Sequence, residues 1–384
     1  MKKTLLITFG ALLILLIIGV WAYLFAYGTP QSGDNIFTRF GFNDTDSLPV
    51  METPATVDVD DTSDGVPQNL RQLTARPVAG ATFTETGILY VEEGTGHVYH
   101  IDLGNGEEKL MSGTTIQGTH RATFSPDGAY VAVTAVKNGV SETIVGLIGG
   151  LTGKLTGVSL PLGASEVTFG TATDTVMYLL REERGSSGYS YDIVKGAGTQ
   201  VFSIPLQDIH VLWGEPTYVY TTPTSLQTGY LYRVEGNSLE YVHKGGVGLV
   251  GLLYDDGLVI TTANGDTLSS SGISSGGTVV PLDVPLVPEK CTNNEATSSV
   301  FYCGVSQGIS SRNFPDSWYK GSVSFSDSLY SIDAETGTVM LLSDFVSTSG
   351  REIDVSSIGT DMYGELVYFI NKNDNTLWMY DMTY

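Results

Sequence analysis

The sequence predicts an all-β fold of propeller type, and three observations carry that prediction. Strand-like segments recur in groups of four at about 40–50 residues per group, the period of a propeller blade. Residues 122–136 show the unit most clearly, as strand, tight turn and strand. Pro126 presets φ at the first central turn position, Asp127 can bond its own backbone, and Gly128 tolerates positive φ. Tyr130, Val131, Val133, Thr134 and Val136 then suit a half-buried pleated surface. Finally, no amphipathic helix of useful length interrupts the series beyond residue 69.

Taken in order, the first meander uses residues 87–91, 97–102 and 108–111, and the second 121–124, 129–136, 143–148 and 154–160. The third uses 166–169, 176–181, 189–194 and 200–204, and the fourth 209–213, 218–222, 229–234 and 239–243. The fifth uses 249–254, 258–262, 267–272 and 278–282, and the sixth 290–293, 299–305, 328–332 and 339–342. The last offers three clear strands, 353–357, 366–370 and 377–380. The orphan strand at residues 70–74 can supply its missing outer strand, closing the ring without an open edge. This gives seven blades, with six or eight left open because turn signals locate boundaries only to within a few residues.

Three segments follow: residues 1–28 as an anchor, 29–67 as a linker and 68–384 as the propeller. Residues 5–27 carry no charge, and at 1.5 Å per residue they reach roughly 34 Å, enough to cross a bilayer core. Lys2 and Lys3 precede the run and Asp34, Asp44 and Asp46 follow it, which places the N-terminus in the cytoplasm and the bulk of the chain outside. A cleaved signal peptide is the rival, but the apolar run is long for one. The linker has four prolines and eight acids against one base, and as a flexible coil it spans roughly 35 Å. Asp58, Asp60, Thr62 and Asp64 resemble the start of a calcium loop, but Arg71 stands where its closing acid belongs. No metal or cofactor is expected.

The formal charge is −23, from 42 acids against 19 bases, which repels phosphate backbones and excludes nucleic acid as a natural partner. Neither Gly272-Ile-Ser-Ser-Gly276 nor Gly304-Val-Ser-Gln-Gly308 is followed by the helix that a hydrolase elbow requires. His97 and His100 lie three apart on one strand and so face opposite ways, while His120, His210 and His243 read as isolated. Asp102, Asp333 and Asp381 each follow an aromatic-x-x-Asp pattern that suits turns between outer strands. Cys291 and Cys303 fall on neighbouring strands of the sixth meander, where a disulfide is favoured over two buried thiols. Zinc is disfavoured, since two cysteines without nearby histidine do not make four ligands.

Residues 122–131, Ala-Thr-Phe-Ser-Pro-Asp-Gly-Ala-Tyr-Val, are similar to the repeat of TolB-like and Trp-Asp-repeat-like propellers. Tyr90-Val-Glu-Glu-Gly-Thr-Gly-His-Val-Tyr99 resembles a family of propeller proteins with one N-terminal membrane span, from small-genome candidate-phylum bacteria. Pro315-Asp-Ser-Trp-Tyr-Lys-Gly321, Ser324-Phe-Ser-Asp-Ser-Leu-Tyr330 and Phe369-Ile-Asn-Lys-Asn-Asp-Asn-Thr-Leu-Trp378 resemble the same family. The resemblance runs from the anchor to the C-terminus and implies that architecture, without an activity.

The expected partner surface is the insertion at residues 306–322, with Phe314, Trp318, Tyr319 and Lys320, because long loops in a compact repeat and exposed aromatics mark binding sites. The alternative is that these aromatics cover the blade's own core. The functional expectation is a non-catalytic module that binds a protein or cell-envelope component. A glycan hydrolase or lyase using carboxylates on one face is the alternative, since such chemistry needs two acids at a set separation.

Overall fold

At Ser125–Tyr130 the turn forms as its residues dictate. The Ser125 hydroxyl donates to Asp127 Oδ1 at 2.6 Å, Asp127 Oδ1 accepts from the Ala129 N–H at 3.0 Å, and Gly128 takes a φ of 68°. The computed structural model describes residues 69–149, 153–254, 257–264, 267–294, 297–306, 308 and 313–383. The expected anchor and linker lie outside these residues. No helix among the described residues is long and apolar enough to cross a membrane.

The described residues open with β1 (Leu70–Gln72) and then build antiparallel sheets in sequence order. The first holds β2 (Val78–Phe83), β3 (Gly87–Glu92), β4 (Val98–Asp102) and β5 (Glu108–Ser112). The second holds β6 (Thr119–Phe124), β7 (Tyr130–Lys137), β8 (Val140–Leu147) and β9 (Thr156–Ser159). The third holds β10 (Ser165–Phe169), β11 (Thr175–Glu182), β12 (Gly185–Asp192) and β13 (Ala197–Ile204).

Next comes a seven-stranded sheet. Its strands are β14 (Ile209–Leu212), β15 (Tyr218–Thr221), β16 (Thr228–Glu235), β17 (Ser238–Tyr254), β18 (Gly257–Asn264), β19 (Thr267–Ile273) and β20 (Val279–Leu282). Its length comes from β17, which ends one four-strand group and starts the next without a turn. The two strands expected at 239–243 and 249–254 are therefore one, with a register shift between Val247 and Val250. Gly248 supplies the left-handed φ of 65° at that shift.

A further sheet holds β21 (Cys291–Asn294), β22 (Thr297–Ser306), β23 (Asp327–Asp333) and β24 (Val339–Asp344). The last runs β25 (Val355–Thr360), β26 (Leu366–Asn371), β27 (Thr376–Asp381) and then β1. Leu70 pairs with Tyr380 and Gln72 with Trp378, so the N-terminal strand completes the C-terminal sheet. The expected closure is thus formed.

Consecutive groups share apolar cores. Leu89, Val91 and Val98 of the first pack with Phe124, Val131 and Val133 of the second. At the closing joint Val78, Ile88 and Tyr90 meet Ile370 and Leu377. The first strands of neighbouring groups also touch: β2 on β6, β6 on β10, β14 on β17, β21 on β25 and β25 on β2. They therefore surround a common axis. The strand β2 has no counterpart in the sequence expectation, because Ala79-Gly80-Ala81 reads as weakly strand-forming. Its glycine is sterically required: a Cβ on Gly80 would stand 2.1 Å from the Ala122 carbonyl oxygen of β6.

Candidate functional site

Between β22 and β23, residues 313–326 fold over one end of the sheets. They include a single helical turn, α1 (Asp316–Tyr319). Phe314 and Trp318 are 2% and 4% exposed and form a small core with Val287 and Phe325, against which Leu268 packs. This cap reaches across to other groups. The Ser225 N–H, between β15 and β16, donates to Asp316 Oδ2 at 2.5 Å. Lys372, between β26 and β27, donates to the Trp318 carbonyl and holds its ammonium 3.9 Å from the indole centroid.

Under the cap lies a buried ionic network. Lys290, 1% exposed at the end of the turn Pro288–Lys290, donates through Nζ to Asp327 Oδ2 at 2.7 Å and to Asp354 Oδ1. Asp354 also accepts from the Trp318 indole N–H at 3.2 Å, the Ser324 hydroxyl at 3.0 Å and the Phe325 N–H at 3.1 Å. One carboxylate thus tethers the cap at three points. Asp327 Oδ1 has no hydrogen-bond partner among the described residues. Burial, outweighing Lys290, pushes the Asp327 pKa up to about 6.

A second polar group converges on the axis from several sheets. Glu166 starts from β10 and His210 from β14, with His210 Nδ1 3.1 Å from Glu166 Oε1. The His210 ring stacks on Tyr220, centroids 5.3 Å apart. Burial works against the His210 imidazolium, but the hydrogen bond and charge of Glu166 outweigh it and its pKa is raised. Burial likewise opposes the Glu166 carboxylate, yet His210, Arg121 and the Val211 N–H together lower its pKa. The two shifts agree on an ionised pair. Glu289 accepts the Tyr319 hydroxyl on Oε1, while its buried Oε2 has no partner among the described residues. Burial raises the Glu289 pKa.

The four residues expected to meet a partner are divided. Phe314 and Trp318 turn inward to form the cap's own core, so they are not available as contact side chains. Tyr319 leaves 44% of its surface exposed while its hydroxyl reaches in to Glu289, and Lys320 faces solvent. Cys291 and Cys303 are register partners on β21 and β22 and are joined by a disulfide, with Cα atoms 4.1 Å apart.

His210 is not isolated, contrary to the sequence expectation. Its partner Glu166 lies on the preceding sheet, and no local pattern links the two. His97 and His100 do engage different neighbours, Thr115 and Thr84. Asp102 and Asp333 accept from the N–H groups of their turns. Gly272 and Ile273 end β19 and the rest of that Gly-x-Ser-x-Gly segment is the turn before β20, while Gly304–Ser306 of the other end β22. Among the described residues no group of three or more His, Cys, Asp or Glu is placed to hold a metal.

Comparison with solved structures decides the fold. The β-propeller domain of the Trilobed protease from Pyrococcus furiosus aligns with a TM-score of 0.55 at 12% identity, covering 79% of this chain and 95% of that domain. The chain has a β-propeller fold. The propeller domain of Myceliophteria thermophila Cps50 (Swd1) gives a TM-score of 0.53 at 11% identity, over 82% of this chain and all of that one. The GH74 enzyme of Niastella koreensis gives 0.55 at 11% identity, over 83% of this chain but 54% of that enzyme. The protease domain is described as having an open velcro topology, whereas this propeller pairs β1 with β27. No family model and no curated protein sequence matches the chain.

Proposed function

We propose that this chain is a membrane-anchored, extracytoplasmic, seven-bladed propeller that binds a protein or cell-envelope component without acting on it chemically. The observation that carries the binding reading is the cap, which presents Tyr319 and Lys320 on a base fixed by buried contacts to three other parts of the propeller. The axial and buried carboxylates favour binding over catalysis, because Glu166, Asp327 and Asp354 are already engaged by His210 and Lys290. Seven blades are supported by the cores shared between consecutive four-strand groups. The anchor is supported by the uncharged run at residues 5–27 behind Lys2 and Lys3.

Crosslinking in native membranes followed by mass spectrometry tests the binding role. Full-length protein is expected to yield a defined crosslinked species that the double variant Tyr319→Ala/Lys320→Glu loses while its circular dichroism shows the propeller still folded. Retention of the same species by that variant would remove the cap from the binding surface. Protease added to intact cell-wall-stripped cells is expected to digest the chain beyond residue 29; full protection would reverse the topology.

A glycan hydrolase or lyase is the second reading, favoured by Glu289 Oε2, which has no partner among the described residues and lies near the axial Glu166–His210 pair. Most glycoside hydrolases use a pair of carboxylates flanking the scissile bond. This reading requires that polysaccharide cleavage be measurable and that Glu166→Gln and Glu289→Gln each abolish it.

A further inference from the structure

A cleft of about 720 Å³ opens between the third sheet and β14–β16, at the same end of the propeller as the cap. Its walls are the loops from β11 to β12, β13 to β14 and β15 to β16, with Tyr230 of β16. The β15–β16 loop is the one that bonds the cap through Ser225 and Asp316. The volume lies within the range of small-ligand sites, about 300–1,000 Å³, but the lining is unlike that of an apolar pocket. Threonine hydroxyls and glutamine amides dominate it, and only Pro205 and Leu206 are aliphatic.

We propose that this cleft binds a neutral oligosaccharide. Charge supports neutrality. Asp208 is paired with Arg181 at 2.8 Å, and the remaining charged lining residues are one acid and one base, Glu183 and Arg184. A phosphorylated ligand would meet no excess of cations in a chain of net charge −23.

Hydrogen-bonding capacity supports a polyhydroxylated ligand. Both amide hydrogens of Gln207 are fixed on the carbonyls of Glu182 and Glu183, at 2.9 and 2.7 Å, which leaves its amide oxygen as an acceptor. Thr221 Oγ1 accepts the Tyr230 N–H at 3.1 Å and keeps its own hydrogen to donate. These groups are held before a ligand arrives, which lowers the ordering cost of binding. Tyr230, 36% exposed, offers a ring face for the C–H face of a sugar, and its ring stands 6.4 Å from that of Tyr232.

Saturation-transfer NMR on the full chain in nanodiscs, with cellotetraose, chitotetraose and maltotetraose at millimolar concentration, tests this. At least one sugar is expected to show transfer to its ring protons. Tyr230→Ala is expected to weaken that binding roughly tenfold, the worth of one aromatic contact, and Tyr230→Phe to retain it. Tyr363→Ala, 66% exposed in the β25–β26 turn at the other end of the sheets, is expected to change nothing.

No transfer from any of the three sugars would overturn the assignment, as would equal transfer in Tyr230→Ala. A neutral tetrapeptide giving the Tyr230-dependent signal in place of the sugars would overturn it as well. The cleft is separate from the cap surface. Failure here leaves the crosslinking result standing, and Tyr319→Ala/Lys320→Glu is expected to keep sugar binding.

Discussion

His210 links the fold to pH because its charge is held by a partner on another sheet. Its folded pKa is raised, so its stabilisation is complete below the ordinary histidine value and is lost as pH rises through the folded value. Asp327, pushed up to about 6, and Glu289, also raised, act in the same direction. Folding disfavours their ionised forms, so stability falls as pH rises out of the usual carboxylate range. Glu166 has the opposite sign: its lowered pKa contributes above the ordinary glutamate value and is lost only on acidification. Thermal stability is therefore expected to peak near about pH 5 and decline towards pH 8. His210→Gln is expected to lower Tm more at pH 5 than at pH 8, as read by calorimetry. Equal losses at both would show that the Glu166 pair is not the cause. Turn residues such as Asp102 and Asp127 were legible in the sequence, because their partners lie two or three positions away. His210 was not, because its partner is brought to it only by the ring.

At the scale of elements, the cap and the segment beneath it form one unit through Lys290. Lys290→Met leaves Asp327 and Asp354 buried without their cation, and the expected loss is about 3–5 kcal/mol in urea unfolding. A loss under about 1 kcal/mol, the size expected of an exposed pair, would mean that water already reaches the network. The insertion was visible in the sequence as a long aromatic loop, but not which aromatics it buries. That depends on Asp354 and Phe325 from outside the helical turn. Strand prediction failed where packing rather than propensity selects the residue. Gly80 in β2 is demanded by the Ala122 carbonyl, and residues 244–248 looked like a break but bend a continuous strand. Strands with β-branched alternation, such as β7, were read to within a residue.

Across the whole molecule, stability depends on a ring whose last joint is made by its two ends. Leu70 is buried against the last sheet, and the Leu73 N–H donates to the Leu377 carbonyl at 2.7 Å. Deleting residues 69–77 removes β1 and leaves β27 with a bare edge. The expected result is aggregation, or a large fall in Tm by calorimetry and light scattering. A deletion variant as stable as the parent would mean that the ring closes without β1. Closure was legible because a three-stranded final meander and an orphan first strand are both properties of the chain itself. The cleft between the third and fourth groups was not, since its three loops come from two repeats and the connection between them, and none is unusual alone.

The same joint sets an order in time. Thr74 Oγ1 accepts the Leu377 N–H across 303 residues of sequence, so the earliest strand of the propeller is translated long before its partner. At about 5–20 residues per second that interval is roughly 15–60 s. Throughout it the β27 edge on which β1 pairs has not yet been made. Its brevity, and the outward-facing Arg71 and Gln72, leave a nascent neighbour on the same messenger little to grip.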